Sequence, residues 1–329
     1  MTTTAFILAT CIKVLAVVVA VLLACAYATW LERKLLARLQ HRIGPNVTGP
    51  FGLLQPFADA IKLAFKEDIV PENVERIPYA LAPIISFAPA LLSFAVIPFG
   101  DSITVMGQQI DMVISDLNIG ILFIFAVTSL GVYGIVLGGW SSGSKFSLLG
   151  GIRSSAQMIS YEIAYGLSII GVLIIAQTLS MKELVAQQAG FFDWFIFRQP
   201  LGFILFVICA VAETNRAPFD MAEAEAELVG GYHTEYSSLR FAMFFLGEYA
   251  NMIAVAAVVT TIFLGGWQGP FLPPVVWFCL KVFLFMTFYI WVRATLPRVR
   301  YDQLMNLGWK VLFPLALLNV VVTALIYRI

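Results

Sequence analysis

Apolar runs long enough to cross a bilayer recur along this chain, and they limit its architecture more than any other feature. A hydrocarbon core about 30 Å thick is crossed by a helix of about 20 apolar residues. In lipid every backbone polar group must be paired within the protein, so helices and closed barrels are the available choices. The runs here are too long, and too evenly apolar, for the alternating strands of roughly 10 residues that build a barrel. Of the 329 residues, 60% are hydrophobic and only 12% are charged, against about 25% charged in a soluble domain. The expected fold is therefore all-α: a polytopic membrane helical bundle of about eight transmembrane helices. The spans are expected at about 5–30, 79–99, 119–140, 157–178, 200–214, 240–264, 272–293 and 309–327, in a single integral membrane domain covering 1–329. The fifth is short and runs into Glu213. Met1 to Thr4 lack the basic region of a cleavable signal peptide, so the first run is expected to be a permanent span.

Several function classes drop out. Lys plus Arg equals Asp plus Glu at 20 each, so net charge gives no argument for nucleic acid. Cys11, Cys25, Cys209 and Cys279 form no CxxC pair and fall in apolar segments. That speaks against a disulfide framework, a zinc site or an iron–sulfur cluster. The two histidines, His41 and His233, lie outside the spans, so bis-histidine haem ligation within the bundle is not expected. No GxGxxG or Walker pattern occurs. No internal repeat supports an inverted-repeat transporter.

The loops set orientation. Loop 1–2 holds Arg33, Lys34, Arg38, Arg42, Lys62, Lys66 and Arg76, and the other odd-numbered loops add Lys145, Arg153, Arg216, Arg240, Arg293, Arg298, Arg300 and Lys310. The opposite side has only Lys182, Arg198 and Arg328. By the positive-inside rule the odd-numbered loops face the cytoplasm and both termini face outside. Loop 1–2 is long and punctuated by Gly44-Pro45-Asn46 and Gly49-Pro50. Beyond these, Leu54, Phe57, Ile61, Ala64 and Phe65 recur near helical spacing, with Gln55, Asp59, Lys62 and Lys66 on the other side. This is an amphipathic helix suited to the interface plane.

Acid is concentrated where it is costly. Glu213, Asp220, Glu223, Glu225, Glu227, Glu235 and Glu248 lie between and within apolar segments, and Glu162 sits inside span 4 beside Tyr161 and one turn from Tyr165. Carboxylates near bilayer depth mark polar paths or proton relays. If 220–228 is helical, Asp220, Glu223 and Glu227 share a face while Glu225 points away. Crowded carboxylates raise one another's pKa and titrate as a set. Gly230-Gly231 offers a hinge. A solvated acidic loop is the plainer account of the same residues. Asp59 and Lys62 are expected to form a polar mouth beside an apolar slot walled by Phe241, Phe244 and Phe245, although aromatics at this spacing are commonly plain packing. Lys13 and Lys281 fall within spans with no partner evident from sequence. Lys34 and Arg38 read as simple topogenic charge.

Two long signatures carry a resemblance. The first is Glu32-Arg33-Lys34, then Gln40-His41-Arg42-Ile43-Gly44-Pro45-Asn46-Val47, Gly52-Leu53-Leu54-Gln55-Pro56-Phe57-Ala58-Asp59-Ala60-Ile61-Lys62 and Lys66-Glu67. The second is Ala212-Glu213-Thr214-Asn215-Arg216-Ala217-Pro218-Phe219-Asp220, then Glu223, Glu225, Glu227-Leu228-Val229, Glu235-Tyr236 and Glu248-Tyr249. Together they closely resemble the H-subunit family of proton-pumping NADH:quinone oxidoreductase, respiratory complex I, whose mitochondrial counterpart is subunit 1 of NADH dehydrogenase. The resemblance runs over essentially the whole chain.

It implies a subunit of a bacterial inner-membrane complex, at the heel of the membrane arm beneath the hydrophilic arm. Such a subunit forms much of a narrow chamber through which quinone, the substrate, reaches the last iron–sulfur cluster. The iron–sulfur clusters and FMN belong to partner subunits. The chain itself would bind no cofactor and hold no redox centre. By motif match, Arg33, Arg42, Asp59, Lys62 and Phe245 would lie along the chamber or its mouth. Glu162, Glu213, Asp220, Glu223, Glu225, Glu227 and Glu248 would form an acidic path towards small membrane subunits and antiporter-like subunits, with Tyr161 beside it. Ala224 and His233 depart from the family's usual Gly and Asn. The alternatives are an ion-translocating anchor of an energy-converting hydrogenase, a proton-coupled transporter and a structural scaffold.

Overall fold

The computed structural model describes residues 3–105, 108–221 and 229–327. Among them, seven helices are long and apolar enough to cross a membrane. They are α1 (Thr3–Leu39), α3 (Arg76–Ser93), α4 (Gly120–Ser141), α5 (Lys145–Ala176), α9 (Ser238–Phe263), α10 (Pro274–Thr295) and a last helix over Tyr301–Tyr327. The last comprises α11 (Tyr301–Leu307), a π-turn over Gly308–Leu312 and α12 (Phe313–Tyr327). The expected fifth span is α8 (Pro200–Glu213), only 14 residues. At 1.5 Å per residue it covers about 21 Å, short of the bilayer core. Short helices α6 (Met181–Ala186) and α7 (Phe195–Arg198) precede it. The expected amphipathic helix is α2 (Gln55–Phe65), with Pro56 in its first turn. The only strands among the described residues are Ile103–Val105 and Gln108–Ile110, paired antiparallel with Ile103 opposite Ile110.

Four boundaries differ clearly from expectation: α3 stops at Ser93 rather than near 99, ahead of Pro98, which disfavours helix before it, and the other three differ in the direction of more helix. Helix α1 continues nine residues past the apolar run, so Glu32, Arg33, Lys34 and Arg38 are helical rather than loop. Leu, Glu, Arg, Lys and Ala are strong helix formers and nothing breaks the run; the chain turns only at His41, whose φ is 54°. Helix α5 starts at Lys145, well before 157. Its first turns pack closely on α4, where a Cβ on Gly139 would meet the Ser147 carbonyl at 2.6 Å. The last helix starts at Tyr301, since 301–307 has no breaker before the apolar run.

Helices α5 and α9 are the interior of the bundle. Helix α5 packs against α4, α8 and α12, and α9 against α1, α3 and α10. The loops gather at two ends. At the first-loop end, Glu75 N donates to the Ser141 carbonyl (3.1 Å), Ile69 N to Ser237 Oγ (2.8 Å) and Val299 N to the Pro218 carbonyl (3.1 Å). At the far end, Ile121 N donates to the Leu179 carbonyl (3.2 Å) and Gln188 Nε2 to the Thr261 carbonyl (3.1 Å). Lys281, left unpartnered by the sequence, belongs here. Its ammonium donates to the carbonyls of Leu264 (2.6 Å), Gly266 (2.9 Å) and Gln268 (2.7 Å) and lies 4.4 Å from the Trp194 ring centroid. Lys13 likewise reaches a backbone acceptor, the Val113 carbonyl, at 3.2 Å.

Candidate functional site

Helix α8 stops inside the bundle, and the segment after it is buried although it is not helical. Glu213, Thr214, Asn215 and Arg216 are all buried. Irregular backbone at such depth is tolerated only where protein encloses it or where it lines a cavity. Asn215 takes a positive φ of 49° to turn the chain, a conformation asparagine adopts more readily than most residues. The turn delivers the Arg216 guanidinium into the interior.

Arg216 lies between two carboxylates from different helices. Its Nη1 is 3.6 Å from Glu32 Oε1 on α1, and its Nη2 is 3.5 Å from Glu248 Oε2 on α9. The guanidinium also sits 4.5 Å from the Tyr249 ring centroid. Glu32 is held further by the Tyr249 hydroxyl, which donates to Oε2 at 2.7 Å, and by Arg293 of α10, paired with Oε1. Glu248 accepts from the Tyr232 hydroxyl at 2.9 Å. The result is one connected chain: Arg293, Glu32, Arg216, Glu248, Tyr232. Buried ions are costly unless each is paired and hydrogen-bonded, and here two arginines balance two glutamates.

The chain joins two cavities. The larger, about 230 Å³, is lined by Thr29, Glu32, Arg33, Leu36, Arg216, Phe245, Tyr249 and Arg293. The smaller, about 40 Å³, is lined by residues that include Glu213, Thr214, Asn215, Tyr232, Glu248 and Asn251. Oxygen atoms of Glu213, Asn215 and Asn251 in its wall have no hydrogen-bond partner among the described residues. A polar cavity of this size admits about three waters. Glu162, half-buried on α5, interacts electrostatically with Glu213.

The expected site residues divide accordingly. Arg33 and Phe245 line the larger cavity. Asp59 reaches it through Arg33, at 2.6 Å, and is steadied by Gln55 Nε2 at 3.0 Å. Arg42 and Lys62 are exposed and outside that lining; the Arg42 side chain donates to Gln40 Oε1 at 2.8 Å. Glu213 and Glu248 share the smaller cavity. Asp220 pairs with Arg298 at 3.3 Å, and its charge acts on Glu248. Tyr161 is turned away from both cavities, its hydroxyl donating to the Leu304 carbonyl at 2.8 Å. Glu223, Glu225, Glu227 and Ala224 lie outside the described residues, as does the expected 220–228 helix beyond Met221; Asp220 and Met221 are not helical. His233 packs its ring against Phe241 (5.3 Å) and the cavity-lining Phe245 (6.1 Å).

The loop after 229 is fixed by aromatic packing. Tyr79 and Tyr236 stack at 4.2 Å, and the Tyr79 hydroxyl donates to the Glu235 carbonyl at 2.7 Å. Burial pushes the Tyr236 phenol up to about 12, so it stays neutral at any working pH. Gly231 has a φ of 63°. Gly150 lets the loop seat on α5, since a Cβ there would lie 2.8 Å from the Tyr232 nitrogen.

From sequence, Arg216 and Arg293 count only among the basic loop residues that set orientation, and Glu32 has no role of its own. The available signal was that Glu32 and Arg216 sit within the two signatures. Their burial and mutual pairing depend on how α1, α9, α10 and the turn after α8 meet.

Helices that cross a membrane and enclose linked ionisable groups between two cavities define a multi-pass membrane protein with a charged interior. The family model for NADH dehydrogenase matches residues 12–324. The chain is 55% identical to the NADH-quinone oxidoreductase H subunit numbered 2 of Geobacter metallireducens, over 98% of this chain and 96% of that protein. It is 56% identical to the H subunit numbered 1 of Geobacter sulfurreducens, over 95% and 93%, and 56% identical to the H subunit of Thermomicrobium roseum, over 92% and 91%. The chain belongs to the NADH dehydrogenase family and is a membrane subunit of a multisubunit enzyme.

Proposed function

We propose that this chain forms much of the quinone chamber of a proton-pumping NADH:quinone oxidoreductase and passes the effect of quinone reduction to buried carboxylates. The observation that carries the reading is Arg216, which lines the larger cavity and is paired with both Glu32 there and Glu248 in the smaller one. Quinone is a large apolar ligand with a polar head. A pocket for it needs apolar walls and a few placed polar groups, and Leu36, Phe245 and Tyr249 beside Arg33, Glu32 and Arg293 have that character.

The coupling follows from charge. Quinone takes two electrons and two protons to become quinol. The two glutamates and two arginines of the chain sum to zero, so negative charge developing in the larger cavity disturbs a balanced set. Arg216 and Arg293 are drawn towards the new charge and away from the glutamates, which favours proton uptake by Glu248. Glu213, across the small cavity, is the neighbouring group able to exchange that proton, with Glu162 beyond it. Coupling of this kind requires an element with two arrangements that both sites bias. The 229–237 loop, with Gly230-Gly231 at its start, is that element in this reading.

The exposed basic residues of the first-loop end then face the cytoplasm, beneath hydrophilic-arm subunits that carry the electron donors. Both termini are periplasmic, in a bacterial inner membrane, and the exposed apolar helices meet lipid and neighbouring membrane subunits. The test is the ratio of protons pumped to electrons transferred in assembled complexes carrying Glu213→Gln or Glu248→Gln. The ratio is expected to fall. Full assembly with normal stoichiometry in both variants would sink the acidic-path reading.

A further inference from the structure

The turn that carries Arg216 is held from outside by one side chain that belongs to neither cavity. Gln157, fully buried on α5, donates from Nε2 to the carbonyls of Ala212 and Phe219, both at 2.7 Å. These two carbonyls bracket Glu213 to Pro218, the segment in which α8 ends and Arg216 is presented. Within it, Asn215 N donates to the Ala212 carbonyl at 3.3 Å and Phe219 N to the Arg216 carbonyl at 2.9 Å. Local bonds alone therefore leave the two ends of the excursion unconnected. The Gln157 amide ties them together.

The neighbours of Gln157 on α5 extend the same contact. Arg153, four residues earlier, reaches Met221 Sδ at 3.6 Å and lies 5.8 Å from the Tyr301 ring centroid. Tyr161, four residues later, packs on Phe219 at 5.9 Å and donates to the Leu304 carbonyl. Residues at i, i+4 and i+8 form one stripe of a helix. The stripe Arg153–Gln157–Tyr161 thus braces the turn, and only Gln157 bridges both of its ends. We propose that Gln157 is a positioning residue, fixing the turn so that the Arg216 guanidinium stands between Glu32 and Glu248 while Glu213 faces the small cavity. The proposal rests on the functional reading above.

Two substitutions separate positioning from packing. Gln157→Met keeps the volume and removes both N–H donors. Each carbonyl retains a backbone donor, Asn215 N for Ala212 and Met221 N (3.1 Å) for Phe219, so the fold has a route to tolerate it. Gln157→Asn keeps the amide but shortens the side chain, leaving space and reaching one carbonyl. In assembled complex normalised to electron transfer from NADH to a hydrophilic artificial acceptor, Gln157→Met is expected to lower kcat for quinone reduction by about ten- to a hundredfold, the scale of a small misplacement of reacting groups. KM should change less than about twofold, because the rest of the cavity lining, Leu36, Phe245 and Tyr249 among it, is untouched. Gln157→Asn should retain more turnover than Gln157→Met. A role in packing alone reverses that order, with Met close to wild type and Asn impaired, and this order overturns the proposal. If neither variant assembles, a density map of the wild-type complex decides: an amide turned away from Ala212 and Phe219 overturns it, and an amide bridging both supports it. Glu213→Gln is measured alongside. Unchanged pumping in that variant and in Glu248→Gln removes the underlying reading, whereas impaired pumping with a wild-type-like Gln157→Met removes only the positioning role.

Discussion

Of the three arginines lining the larger cavity, Arg33 and Arg216 differ in what breaking their ion pairs should do. Arg33 pairs with Asp59 while itself half-exposed, and exposed pairs contribute only about 0–1 kcal/mol. Asp59→Ala is therefore expected to leave the amount of assembled complex unchanged and to lower quinone reduction selectively, with NADH oxidation by a hydrophilic acceptor as the control. Equal loss of both activities would mean failed assembly instead. Arg216 is buried against two carboxylates, and removing one partner of a buried ionic set costs about 3–5 kcal/mol. Arg216→Leu is expected to reduce assembly as well as turnover, and Glu32→Gln on the same background should recover part of the assembly, read as subunit content of purified membranes. Normal assembly of the single variant would show that Arg216 does not compensate the glutamates. At this scale the sequence was half legible. Glu213 and Glu248 stood out because a carboxylate in an apolar context is anomalous wherever it points. Arg216 and Arg293 did not, because a basic residue near a helix end is ordinary, and burial is decided by distant segments.

Among the elements, the long helices were readable because each needs only its own hydropathy. Helix α2 was readable from its spacing, since Leu54, Phe57, Ile61 and Phe65 fall on one side. The end of α1 was not, because hydropathy stops reporting once a helix leaves the apolar layer, whereas helix propensity continues. The loop over 229–237 was invisible for a different reason: its shape comes from Tyr79, Tyr232, Tyr236 and Phe244 meeting across several elements. Its seat on α5 depends on the absence of a side chain at position 150. Gly150→Ala would drive a methyl group to 2.8 Å from the Tyr232 nitrogen, an overpacking strain of about 1–3 kcal/mol. The expected result is an assembled complex with weakened coupling, as the Tyr232 hydroxyl is displaced from Glu248. The check is the proton-to-electron ratio beside that of Tyr232→Phe, which removes the same hydroxyl without moving the backbone. A normal ratio in both would detach this loop from the relay.

Across the whole molecule, the ionisable chain and both cavities lie towards the first-loop end, while the far end is closed by backbone-directed bonds. Lys281 is central to that closure. Lys281→Met would deprive three carbonyls of a donor, at roughly 1–3 kcal/mol for each left unsatisfied. It is expected to lower the melting temperature of the complex while leaving turnover per assembled complex near normal. A selective loss of quinone reduction at unchanged stability would contradict this division. One consequence concerns where the bundle can flex. A cation gripping Leu264, Gly266 and Gln268 and capped by Trp194 staples the tail of α9 to α10, so that end acts as a fulcrum. A tilt of α9 about the staple displaces each turn in proportion to its distance from it, so Glu248 and, further out, Phe245 on the wall of the larger cavity move together.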